Sequence, residues 1–307
     1  MAKIQTFDHC GFVVEDIPRA HKFYGQLFGA KPLWIANLNT HTAYSGWPII
    51  SFVELGAHRF ELCLAMFPLP ATEPEYTLPR IGFVLPGGAL GMVERKLREL
   101  DIPYRQLEHG GDLPIERTIQ LRDPDGNVLD LTIWRGQGNG AQPADDGIIP
   151  LTDLSHIGLE VTDLEAADRF YTEVFGMDLL RHEADELVLK NATGQLLFLA
   201  KVERLSPRSR FCGPDRSTAP EPGGPERYRG AHLAVTVASS EDYDEMYAAL
   251  QAWGVKSDGD IRAGRRPSGE KSDYFYDPAG NRIQLVCFAK QPLPRPPRRE
   301  RVGVREP

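Results

Sequence analysis

Short apolar runs alternate along the chain with amphipathic stretches, and turn residues separate them. His9–Val14 is a compact apolar run with strand character, followed by Asp16 and Pro18, where an N-cap and an early-helix proline belong. The helix predicted there runs through Phe28 and stops at Gly29. Ile50–Glu54, Arg59–Ala65 and Ile81–Leu85 read as strands, and Leu90–Leu100 carries apolar residues at helical spacing. Thr118–Arg122 and Val128–Trp134 read as two strands joined by Asp-Pro-Asp-Gly-Asn, a hairpin signal. The pattern then restarts: strand 156–161, helix 163–175, strands 185–190 and 195–201, strand 231–237, helix 241–253, strands 272–276 and 281–288.

The restart is a duplication. His9, Gly11, Asp16, Phe23, Tyr24, Phe28 and Gly29 recur without gaps as His156, Gly158, Asp163, Phe170, Tyr171, Phe175 and Gly176 (156 minus 9 is 147). A second block, DPDGNVLDL from Asp123, recurs as DPAGNRIQL from Asp277 (277 minus 123 is 154). The reading is α+β: four βαβββ modules in two tandem domains, 1–137 and 151–290. Residues 138–150 form a Gly/Pro/Asp-rich linker. Residues 204–230 form a long Pro/Gly/Arg-rich insertion, and 291–307 a Pro/Arg-rich tail.

Composition narrows the partners. The 307 residues are 41% hydrophobic and 25% charged, as in a soluble globular protein. A net charge of −8 argues against nucleic acid or an anionic membrane as partner. No apolar run is long enough to span a bilayer, and no secretory h-region opens the chain. The four cysteines (Cys10, Cys63, Cys212, Cys287) form no CxxC and no disulfide framework. A reduced, cytoplasmic protein with a small-molecule substrate is expected, and a homodimer is compatible with this reading.

A histidine-led strand followed by D-x-x-x-A-x-x-F-Y-x-x-x-F-G, together with the D-P-x-G-N hairpin, resembles the vicinal oxygen chelate superfamily. That superfamily includes glyoxalase I, extradiol ring-cleaving dioxygenases and bleomycin-resistance proteins. The resemblance implies paired βαβββ modules curled around one divalent metal, with ligands on the first and last strands. Carried over residue by residue, it assigns His156, His232 and Gln284 as the metal set, with an amide where dioxygenases carry glutamate. A weaker second set is His9, Glu61 and Asp130, compromised by Arg80, which would pair with one of those carboxylates. Tyr276 matches the position of a catalytic tyrosine, and His182 is a further pocket candidate. The implied cofactor is Fe(II), with Mn, Zn or Ni as substitutes, and the implied substrate offers two neighbouring oxygens. Ring-cleaving oxygenation ranks first and glyoxalase-type isomerisation second. A metal-free small-molecule binding protein is the alternative, favoured by Gln284 and by the missing histidine acid in 194–200 and 268–274.

Overall fold

The computed structural model describes residues 2–36, 50–55, 60–66, 80–136, 147–205, 232–255 and 271–288. Residues 206–230 of the predicted insertion, residues 138–146 of the linker and the tail lie outside them. The first module is β1 (Phe7–Val14), α1 (Ile17–Phe28), β2 (Lys31–Ala36), β3 (Ile50–Leu55) and β4 (Phe60–Met66). The second is β5 (Arg80–Val84), α2 (Leu90–Glu99), β6 (Tyr104–Glu108), β7 (Ile115–Arg122) and β8 (Val128–Trp134). The third is β9 (Asp153–Val161), α3 (Leu164–Arg169, continued by a π turn over Phe170–Val174), β10 (Asp178–His182), β11 (Glu186–Lys190) and β12 (Leu196–Lys201). The fourth shows β13 (Leu233–Thr236), α4 (Ser240–Ala252), β14 (Lys271–Tyr276) and β15 (Arg282–Cys287). The fold is α+β, two tandem domains of one construction.

The helix ends follow the local chemistry. Asp16 caps α1 by accepting from the Arg19 amide at 2.9 Å, and Gly29 closes it in the left-handed region at φ 65°. Asp163 repeats the cap on α3 by accepting from the Ala166 amide at 3.0 Å. β2, β6 and β10, which the sequence pattern does not flag, each stand at an edge of their sheet among the described residues. An edge strand lacks two-sided burial, so β6 (YRQLE) carries little hydrophobic signal and β2 tolerates Pro32.

Two sheets form, and neither belongs to one half. The seven-stranded sheet runs β14-β15-β13-β1-β4-β3-β2 and joins the first module to the fourth. The eight-stranded sheet runs β10-β11-β12-β9-β5-β8-β7-β6 and joins the third to the second. The joints are antiparallel, β1 on β13 and β5 on β9. One apolar core, with Tyr24, Phe28, Phe83, Phe170, Phe175 and Phe275 buried in it, serves both sheets and the helices. Among the described residues, no helix is long and apolar enough to cross a membrane. Cys10 and Cys287 are buried and in no disulfide among the described residues, and Cys212 lies outside them.

The duplicated motif residues tie the sheets together. Tyr24 on α1 donates to Asp123 Oδ2 at 2.9 Å, in the hairpin that closes the second module. Tyr171 in the third module donates to Asp277 Oδ2 at 2.9 Å, in the hairpin that closes the fourth. Each aspartate also accepts from the asparagine of its own turn, Asn127 or Asn281. The tyrosine and the D-P-x-G-N turn thus recur together because they are the two ends of one lock between sheets.

Candidate functional site

A β-bulge prepares the first face. Phe7 pairs with Val235 and His9 with Ala234, so Asp8 is the extra residue and His9 turns away from the core. The ladder then sets a row on the face of the seven-stranded sheet turned away from the apolar core. His9 lies opposite Ala234, Ala234 opposite Gln284, and Gln284 opposite Tyr274. On its other side His9 is paired with Glu61 of β4. His232, two residues before Ala234, shares that face, and its carbonyl accepts from the Gly11 amide at 2.7 Å.

The side chains converge. His9 Nε2 and His232 Nε2 are 2.9 Å apart, with both residues buried. His9 Nδ1 is 2.7 Å from Asp8 Oδ2. The His232 ring lies 5.5 Å from the Tyr274 ring, and the Arg282 guanidinium sits 3.9 Å over the Tyr274 ring centre. Gln284 Nε2 donates to Ser272 Oγ at 2.7 Å, while its Oε1 is buried with no hydrogen-bond partner among the described residues. A buried amide oxygen without a partner costs about 1–3 kcal/mol, so it marks a place built for a donor or a cation.

The equivalent face of the eight-stranded sheet has the same register and different chemistry. A second bulge, at Ser155, turns His156 opposite Gly82, which is paired with Asp130, itself opposite Gln120. His156 Nε2 donates to Asp130 Oδ2 at 3.0 Å, and Gln120 Nε2 donates to Asp130 Oδ1 at 2.7 Å. Arg80 lies 3.4 Å from the same carboxylate, the ion pair that the sequence predicts, and stacks over Phe198. Burial opposes ionisation of Asp130, but the His156 hydrogen bond and the Arg80 charge outweigh it and hold its pKa below the ordinary value. Burial lowers the His156 pKa, keeping the ring neutral. Ser155 Oγ is 3.1 Å from His156 Nδ1 and accepts from Trp134 Nε1 at 3.0 Å. Both ring nitrogens of His156 are therefore engaged. Leu113, Ile115, Val188, Leu196 and Phe198 fill the remaining space as a satellite core.

The two metal sets read from the sequence are redistributed. His232 and Gln284 share a face, but His156 is on the other sheet and is satisfied there by Asp130 and Ser155. Of the second set, His9 and Glu61 are ladder neighbours on the first face, while Asp130 is on the second. The correction has one cause: the sequence grouped modules by half, and the sheets pair them across halves. Tyr276 is opposite Arg282 and two residues from Tyr274, on the same face as Gln284. His182 lies on the edge strand β10, 3.9 Å from Asp168 of α3, on the helical side. The insertion arginines 208, 210, 227 and 229 lie outside the described residues. Asp8, Tyr274 and Arg282 escaped the sequence reading. The only signal was the residue before each repeated histidine, Asp8 and Ser155.

The donor set on the first face fits a divalent ion. The His9–His232 contact is at hydrogen-bond distance, and it is also near the spacing of about 3.0 Å for two imidazole nitrogens about 2.1 Å from one ion at the right angle of octahedral coordination, against about 3.4 Å at a tetrahedral angle. The unpartnered Gln284 oxygen adds a hard, neutral donor. Among the described residues, no group of three or more His, Cys, Asp or Glu side chains forms a metal cluster. A separate cleft of about 540 Å³, with Phe23, Tyr104, Arg105 and Arg122 in its wall, lies at the β6 edge and includes none of the first-face residues.

Comparison with known proteins gives a consistent picture. The family model of the Glyoxalase/Bleomycin resistance protein/Dioxygenase superfamily matches residues 6–131 and 153–285. A proposed dioxygenase of Bacillus subtilis is 13% identical, with 94% of this chain and 86% of that chain aligned at a TM-score of 0.65. Glyoxalase I from Zea mays is 18% identical, with 92% of each chain aligned at a TM-score of 0.59. At these identities the likeness is one of fold. No match is found among curated proteins.

Proposed function

The chain belongs to the Glyoxalase/Bleomycin resistance protein/Dioxygenase superfamily, and from that premise we propose that it is a divalent-metal enzyme with one centre, on the face of the seven-stranded sheet turned away from the apolar core. The observation that carries this reading is the His9–His232 nitrogen pair, 2.9 Å apart, with an unpartnered Gln284 oxygen in the same row. Glu61, opposite His9 in the ladder, is the carboxylate position of the set. Two histidines and one carboxylate suit Fe(II), with Mn, Zn or Ni as substitutes. When bound, the ion supplies Lewis acidity to a small substrate offering two neighbouring oxygens.

The chain's own residues fix the site around that chemistry. Ser272 holds the Gln284 amide so that Oε1 faces inward. Tyr274 and Tyr276 bring phenols that can carry a proton, and Arg282 supplies a cation over the Tyr274 ring. Gln284 cannot act as a general base because an amide has no basic site near neutral pH. Residue 284 therefore offers no glyoxalase-type proton shuttle, and the two-histidine, one-carboxylate set makes ring-cleaving oxygenation the reaction we favour, with isomerisation second.

The test is oxygen uptake with a panel of catechols by protein loaded anaerobically with Fe(II), alongside isomerisation of a thiol–ketoaldehyde adduct with Zn(II) or Ni(II). Oxygen uptake lost in His9→Ala and His232→Ala supports the reading. Isomerase activity would replace the reaction. If no metal is taken up and ligand binding is indifferent to both histidines, the chain is a metal-free binding protein.

A further inference from the structure

The two histidines that the duplication makes equivalent carry their protons on opposite nitrogens. A carboxylate only accepts hydrogen bonds, so the 2.7 Å contact between Asp8 Oδ2 and His9 Nδ1 places the hydrogen on Nδ1. A neutral imidazole protonated there has its lone pair on Nε2, the atom that faces His232 Nε2. On the other sheet Asp130 is the acceptor, and it takes the hydrogen of His156 Nε2 at 3.0 Å. The Ser155 hydroxyl, already accepting from Trp134, then donates to His156 Nδ1. The bulge residue before the histidine is thus the point at which the two faces diverge: an anion at 8 and a hydroxyl at 155.

We propose that Asp8 is the positioning residue of the centre: it holds His9 as the Nδ1–H tautomer and keeps the Nε2 lone pair directed at the ion. Hydrogen bonding to a carboxylate also raises the donor strength of the imidazole, an effect whose loss typically lowers metal affinity about 10–100-fold. The affinity arm of this proposal rests on the metal reading above, and the tautomer arm does not. Asp8 is half-buried, so substitution there leaves the core untouched.

The experiment uses the full chain in two arms. The first is nitrogen NMR of labelled histidines in chelator-treated protein, with His9 assigned by its loss in His9→Ala. The expected wild-type signature is a pyrrole-type Nδ1 and a pyridine-type Nε2 at His9. It is lost or mixed in Asp8→Ala and retained in Asp8→Asn, whose carbonyl still accepts. The second arm is calorimetric titration with Zn(II) alone. Affinity falls about 10–100-fold in Asp8→Ala, less in Asp8→Asn, and is unchanged in Ser155→Ala. An Nε2–H tautomer in wild type, or a signature and affinity unaltered in Asp8→Ala, would overturn the proposal. Wild-type protein that takes up no zinc while showing the predicted tautomer shift sinks the metal reading and sustains the role of Asp8 in orienting His9.

Discussion

His9 and His156 occupy one position of a duplicated strand, and their neighbours give them different work. His156 is locked between Asp130 and Ser155, with Arg80 and Gln120 on the same carboxylate. Its replacement by alanine leaves a buried carboxylate short of one donor and should cost about 1–3 kcal/mol, measured by urea unfolding, with metal affinity unchanged. Gly82 belongs to the same lock. A Cβ there would stand 2.2 Å from His156 Cε1, so Gly82→Ala should displace the ring and cost about 1–3 kcal/mol in the same assay. On the other face Gln284→Glu should strengthen divalent metal binding by about tenfold or more, because a carboxylate brings a full charge where the amide brings a dipole. Calorimetric titration checks this, and unchanged affinity would count against a cation beside residue 284. The four residues of the proposed centre, His9, Glu61, His232 and Gln284, all stand out in the sequence as candidates. Their grouping does not, because spacing along a chain does not reveal which strand edges meet.

At the scale of elements, the strands with two buried sides and the capped helices declared themselves, and the edge strands β2, β6 and β10 did not. The D-P-x-G-N hairpins were legible as turns, but their partnership with Tyr24 and Tyr171 was hidden because it joins distant elements. That partnership makes a pH prediction. Burial pushes the Asp123 carboxyl up to about 6, and hydrogen bonds from Asn127 and Tyr24 offset only part of the rise. A carboxyl whose folded pKa is raised contributes stability below its unfolded value of 3.8 and loses it as pH rises through about 6. Wild type should therefore lose stability relative to Asp123→Asn between about pH 4 and pH 6, by at most about 3 kcal/mol. Asp277 is raised for the same reason, so the double variant should flatten the profile further. Asp130 works in the opposite sense: its lowered pKa contributes stability above the unfolded value and loses it only in stronger acid. Urea midpoints across the range check the sign, and a parallel pair of profiles would refute it.

For the whole molecule, the duplication announced two equivalent halves, and the sheets exchange modules between them. The proposed centre draws its positions from both halves: His9 and Glu61 are ladder neighbours in the first, and His232 and Gln284 stand at the strands the second half adds to the same sheet. Residues 1–137 and 151–307 made separately should each bind no metal at this centre, and mixing them should restore it, as read by zinc calorimetry. On the second face an apolar cluster and an ionic lock occupy the equivalent place, which is why the proposal puts a single centre on the first. The most direct measurement is an anomalous difference map from crystals of the full chain soaked in Mn(II) or Zn(II). The account predicts one peak within coordination distance of His9 Nε2 and His232 Nε2, and none beside His156. A peak between His156 and Asp130, or none beside His9 and His232 at saturating metal, would contradict it.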